Sequence, residues 1–125
     1  MADKLFIERW SPRSFSSEPI EPDDLEKLID AARWSPSTLN EQPWIFYTAT
    51  RESPMFQHYV DCLNEGNQTW AKNAPALGFL IGRKFFKNKD KKNDLAEFDC
   101  GAAWMAMTMQ ARILGYFTHG MGGID

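Results

Sequence analysis

The chain has 125 residues, of which 43% are hydrophobic and 25% charged, the size and composition of one soluble globular domain with a real core. A net charge of −3 and a pI near 5.4 argue against nucleic acid as the main partner, because surface phosphate binding needs an excess of Lys and Arg. No run of about 18 apolar residues is present to cross a membrane, and the opening MADKLFIERW lacks the apolar core of a signal peptide, so a cytoplasmic protein with no membrane partner is expected.

Taken in chain order, the first expected element is a short helix from Asp3 to Trp10, followed by a loop from Ser11 to Glu21. Pro22 then occupies a first helical position, with Asp23 and Asp24 in the first turn, where acids suit the positive helix end. Leu25, Leu28, Ile29 and Ala32 make one apolar helical stripe, which stops near Trp34 because the residue before Pro36 is pushed away from helical angles. The run Trp44 to Thr50 (WIFYTAT) has the aromatic and β-favouring residues of a strand. A short helix is expected near Pro54 to Asn64. The continuous apolar run Ala76 to Ile81, between Pro75 and Gly82, reads as a buried central strand.

The basic stretch from Arg83 to Lys92 is broken by Asp90 and followed by Asp94 and Glu97, which makes it a solvated loop. A long helix is expected from about Asn93 to Leu114, ended by Gly115 in a left-handed conformation. It is apolar nearly all round, through Phe98, Ala102, Trp104, Met105, Met107, Met109 and Ile113, and so should be buried on most sides. In so small a chain some of those sides call for a partner subunit. Tyr116 and Phe117 could start a strand, and HGMGG then makes a flexible turn. No closing element precedes Asp125, so the sequence reads as cut short, a single partial domain over residues 1–125.

Two segments carry recognisable chemistry. Arg9-Trp10-Ser11-Pro12-Arg13-Ser14-Phe15 places two guanidinium forks and two hydroxyls in a segment stiffened by proline, groups that match phosphate oxygens. A surface loop with incidental charges would look the same. Ser35 to Trp44 is a Pro-bounded loop whose hydroxyl and amide side chains can hydrogen-bond a ring edge or a sugar chain, although an ordinary connecting turn serves equally well. Cys62 and Cys100 read as reduced thiols, Cys100 as a small packing residue. His58 and His119 lack partners at metal-ligand spacing, so no metal site is expected. GMGG does not match the dinucleotide fingerprint G-x-G-x-x-G.

Together, Arg-x-Ser-x-Arg and the later Ser-Pro-Ser-x-x-Asn-x-Gln-Pro-Trp strongly resemble the nitroreductase family of FMN-dependent oxidoreductases. Asn67-Gln68-Thr69-Trp70-Ala71 before Ala74-Pro75, the helical GAAWMAMTMQARILG and the turn HGMGG follow in the family's order, and the resemblance runs from about Phe6 to Asp125. It implies an α+β, three-layer fold with a central mixed, mainly antiparallel sheet flanked by helices, incomplete at its C-terminal end. It implies a homodimer with FMN at the subunit interface. Arg9 and Ser11 would bind the FMN phosphate, Trp10 would contribute backbone near the ribityl chain, and Arg13 would lie by N1 and O2. Pro36, Ser37, Thr38 and Asn40 would come from the opposite subunit. Asn67 would bond the pyrimidine edge, and the N–H groups of Gly122 and Gly123 would sit near N5 and O4.

The resemblance further implies NAD(P)H as electron donor and a nitroaromatic, quinone or similar flat acceptor, reduced by two electrons with ping-pong kinetics. The flavin N5 would do the chemistry, so no catalytic side chain is expected. Dehalogenation, heterocycle oxidation and flavin rearrangement also occur among similar proteins. The chain departs from the family where some members carry a Lys and it has Trp70, and where others carry an acid and it has Gly122. It also lacks the later basic residues that complete the phosphate clamp, which leaves a non-catalytic flavin-binding or interaction fragment as the alternative.

Overall fold

The computed structural model describes residues 1–124. Helix α1 is a single turn, Lys4–Ile7, capped by Asp3, whose side chain accepts the Leu5 N–H at 2.9 Å. It ends well before the expected Trp10. None of its residues is buried, and one partly covered turn beside α5 does not propagate without further packing. Helix α2, Pro22–Arg33, forms where expected, with Pro22 at its start and Leu28 and Ala32 buried. A 3₁₀ turn at Thr38–Asn40 leads into strand β1, Trp44–Thr50.

Strand β2, Ala76–Gly82, pairs antiparallel with β1 in a register that runs from Trp44 opposite Gly82 to Thr50 opposite Ala76. These two strands are the whole sheet among the described residues. The buried central strand expected here is therefore corrected: β2 has one strand neighbour, is only half-buried, and leaves Ile81 exposed. Between the strands, the expected helix is shorter, α3 at Phe56–Asp61, and a second one follows as α4 at Glu65–Ala71. Ala49, Phe56 and Val60 form the small core beneath β1, with Tyr59 edge-on to Phe79.

Helix α5, Ala96–Ile113, starts three residues later than the sequence suggests, after Asn93 accepts the Leu95 N–H at 3.2 Å. It packs along α2, where Ala32, Ala103 and Ala111 have no exposed surface; side chains this small let two helices approach closely. The expectation that α5 is covered on most sides is only partly met. Cys100, Ala103, Thr108 and Ala111 are buried, but Phe98 stands 78% exposed and Ile113 62%. Burial raises the Cys100 thiol pKa, with nearby Asp99 and Glu97 adding to it, as suits an inert packing residue.

Gly115 ends α5 with φ +89°, the left-handed geometry that glycine adopts without a Cβ penalty. The strand expected at Tyr116 and Phe117 does not form. Tyr116 instead turns its N–H to Ala111 O at 2.8 Å and donates its hydroxyl to Asp24 Oδ2 at 3.0 Å, tying the chain back to the first turn of α2. Hydrogen bonds from Lys27 and then Tyr116 hold the Asp24 carboxyl below its ordinary pKa. This tie is therefore present above the ordinary carboxylate range and weakens on acidification through it. No helix among the described residues is long and apolar enough to cross a membrane.

Enlarging a side chain in the α2–α5 seam tests the packing. Ala103→Leu is expected to cost about 1–3 kcal/mol by overpacking, read as a lower Tm by circular dichroism; an unchanged Tm would show that the seam is loose.

Candidate functional site

The segment carrying Arg9, Trp10, Ser11 and Arg13 is held by its neighbours rather than by regular structure. Glu8 Oε2 accepts from Arg112 at 3.0 Å, and the Arg112 guanidinium lies 5.1 Å over the Phe117 ring. Trp10 meets that ring edge-on at 6.2 Å. Pro12 is buried, and its carbonyl lies 2.9 Å from His119 Nδ1, so the Nδ1 proton is the one donated. Three residues on, Phe15 stacks with Trp70 at 6.2 Å, and Trp70 also packs on His119, with ring centroids 4.5 Å apart.

Helix α4 brings in the next candidate. Asn64 caps it, accepting the Asn67 N–H at 3.0 Å through Oδ1. The Asn64 N–H and the Asn67 carboxamide both point to the Gly123 carbonyl, at 3.1 and 3.4 Å. An isolated antiparallel bridge between Leu63 and Ile124 completes the docking. A Cβ on Gly123 would lie 2.8 Å from Asn67 Nδ2 and closer still to the Asn64 carboxamide, so glycine serves there for close contact, and any side chain would displace both carboxamides. The chain thus draws Arg9 to Arg13, Asn67, Gly122 and Gly123 into one corner, with Trp70 at its centre.

The donor chemistry of that corner suits a phosphorylated ligand. Ser11 and Arg13 are exposed and Arg9 is half-buried. With the described residues neither arginine forms an ion pair, although the chain is acidic overall. Two unneutralised guanidinium forks beside a hydroxyl fit a phosphate monoester.

Pro36, Ser37, Thr38 and Asn40 are not brought to this corner. Their loop bonds to the other end of α5, where the buried Asp99 accepts the Thr38 N–H at 2.9 Å through Oδ2. Asp99 and Arg112, which braces Glu8, are separated by about 20 Å of helix axis at 1.5 Å per residue. Within one chain the two predicted halves of the site lie apart. The loop is also strained: Leu39, Asn40 and Gln42 all have positive φ, at 53°, 54° and 48°.

A large cleft of about 1220 Å³ runs between α2, β2 and α5. It is lined mainly by apolar residues such as Leu25, Ile29, Phe46, Leu80 and Met107, and of the predicted site residues only Trp10 and Gly122 border it. It opens onto the polar corner, whose Pro12, Phe15, Trp70 and His119 line one part of it. Sequence reasoning missed the roles of His119, Asp99 and Asn64. Only Asn64 had a local signal, as a preferred N-cap residue ahead of Glu65.

Comparison with known proteins follows the same segments. The profile of the Nitroreductase family matches residues 7–56. A protein of Archaeoglobus fulgidus, provisionally named an NADH dehydrogenase/NAD(P)H nitroreductase, is 31% identical over 112 residues, covering 90% of this chain and 62% of its own length. A crystal structure described as an oxidoreductase containing FMN is 46% identical and superposes with a TM-score of 0.94, over 99% of this chain and 64% of that one. A nitroreductase family protein of Streptococcus pneumoniae, at 17% identity, shares the fold with a TM-score of 0.84, over 98% of this chain and 76% of that one. The chain thus spans a little under two thirds of the first two relatives.

The contact at Gly123 gives a direct test. Gly123→Ala is expected to push the Asn64 and Asn67 carboxamides aside and to speed hydrogen exchange of the Asn64 amide; unchanged protection of that amide would contradict the docking.

Proposed function

The chain belongs to the nitroreductase family, and from this we propose that it binds FMN and works as an oxidoreductase that passes two electrons from NAD(P)H to a nitroaromatic, quinone or similar flat acceptor. The observation that carries the proposal is the corner where the segment holding Arg9, Ser11 and Arg13 meets His119 and Trp70, next to the contact between Asn67 and Gly123. Bound FMN supplies the two-electron chemistry. Arg9 and Ser11 would hold the phosphate, and Trp10 would offer backbone near the ribityl chain. Asn67 would orient the pyrimidine edge, and the Gly122 and Gly123 N–H groups would face N5 and O4. Arg13 would place a fixed positive charge at N1 and O2, which favours the reduced, anionic ring.

The position of Pro36, Ser37, Thr38 and Asn40 supports a homodimer. They lie at the opposite end of α5 from Glu8, so they would reach a flavin only across an interface, and the exposed Phe98, Ile113 and Trp34 supply apolar surface for one. Donor and acceptor would use the same face of the ring in turn, which gives ping-pong kinetics. The family supports a cytoplasmic location.

One observation favours a second reading, a non-catalytic flavin-binding or interaction fragment. The cleft of about 1220 Å³ leaves a long apolar lining of α2, β2 and α5 uncovered, where protein interiors are otherwise close-packed. The purified chain is expected to bind FMN, turn yellow, and oxidise NADPH with a nitroaromatic acceptor. Flavin binding without turnover would select the fragment, and colourless protein that ignores added FMN would remove both readings. In an active chain, Arg13→Ala is expected to lower turnover about 10²-fold, the usual loss of one preorganised electrostatic contact, with FMN still bound; unchanged turnover would remove Arg13 from its role.

A further inference from the structure

The loop that would face a neighbouring subunit's flavin is held in a conformation its own sequence disfavours. Leu39, Asn40 and Gln42 occupy the left-handed region with φ of 53°, 54° and 48°. Of these only Asn adopts it readily. Gln42 also precedes Pro43, a position that normally forces extended backbone. Each such residue persists only where its surroundings over-determine it.

Two sets of contacts do so. On one side, Glu41 accepts Arg83 Nη2 at its carbonyl and Oε2, at 2.9 and 3.2 Å, and the Lys87 N–H at 3.0 Å. Within the loop, Ser37 Oγ accepts the Gln42 N–H at 2.9 Å, and Asn40 Oδ1 accepts Gln42 Nε2 at 2.9 Å. On the other side stands a single group: Asp99, 4% exposed, accepting the Thr38 N–H at 2.9 Å from the first turns of α5. Thr38 begins the 3₁₀ turn that contains Leu39 and Asn40. The carboxylate therefore anchors the turn where its strain starts.

We propose that Asp99 is a positioning residue for the flavin segment Ser37–Asn40, fixing through the Thr38 amide the conformation in which that segment meets the flavin of a second copy. The proposal rests on the flavin reading above. Asp99 touches no cofactor; it acts through the loop. The bond needs an acceptor oxygen and not a charge, so Asp99→Asn should preserve it, whereas Asp99→Leu keeps the bulk and leaves the half-buried Thr38 N–H without its acceptor.

The test is FMN titration by flavin absorbance and fluorescence, with hydrogen exchange of the Thr38 amide measured in the same variants. Asp99→Leu is expected to weaken FMN binding about tenfold or more and to speed Thr38 exchange by a similar factor, while Asp99→Asn stays within about threefold of wild type in both. Should Asp99→Leu fail to fold, Thr38→Pro removes the donor instead and suits the extended backbone of Ser37 (φ −149°, ψ 156°) that a following proline favours; it is expected to weaken FMN binding alike. Wild-type affinity in Asp99→Leu or Thr38→Pro overturns the proposal, as does an Asp99→Asn loss equal to that of Asp99→Leu. A wild-type chain that binds no FMN overturns the flavin reading itself, and Thr38 exchange then decides alone whether Asp99 holds the loop.

Discussion

The hydrogen bond between His119 and the Pro12 carbonyl, with Trp70 packed against the His119 ring, is the contact on which the polar corner depends. It joins segments 107 residues apart in the chain. Neither the Arg9–Arg13 stretch nor the Gly122–Gly123 segment belongs to a helix or strand. Neither could hold a position alone. Trp70 settles both, since one side chain stacks with Phe15 and packs on His119 while its own helix carries Asn67. Where some relatives of the family carry a Lys, an aromatic wedge stands here. It exchanges a possible charge contact for a fixed geometry among three segments.

A second constraint comes from α5. The helix is long enough to keep the loop at Thr38 about 20 Å from the Glu8 brace, with Asp99 at one end and Arg112 at the other. A ligand that needed both polar sets could not gather them from a single chain in this arrangement. Two-fold pairing offers a simple resolution, because an isologous interface repeats each contact in both directions. The exposed Phe98 and Ile113 on α5 and Trp34 beyond α2 would then find cover.

Much of the fold was legible because its signals are local. Pro22 and the acids behind it start α2, the residues WIFYTAT make β1 to the residue, and Gly115 closes α5 at positive φ. The signals misled where packing decides. Asp3 to Trp10 had the composition of a helix but buries nothing, so α1 stops at Ile7. Helix α4 carries no apolar stripe and buries only Ala71, which left nothing for periodicity to detect. In the site, the motif residues Arg9, Ser11, Arg13, Asn67 and Gly123 could be read in order, and the 36–40 loop, expected from an opposite subunit, lies at the far end of α5 from the Glu8 brace. His119 and Asp99 could not be found so. Each acts through one hydrogen bond to a backbone group remote in sequence, and a lone histidine or helical aspartate announces nothing by itself.

A flavin site shared between two copies is the central proposal, and mixed dimers test it most directly. One chain carries Arg13→Ala and the other Thr38→Pro, each strongly impaired alone at limiting FMN. Mixed and re-equilibrated, half of the dimers pair unlike chains, and each such dimer would assemble one site from an intact Arg13 and an intact loop. Turnover should then return to about a quarter of the wild-type value per chain, as two-fold symmetry requires. No recovery, in mixtures shown to exchange subunits, would contradict a site built across the interface.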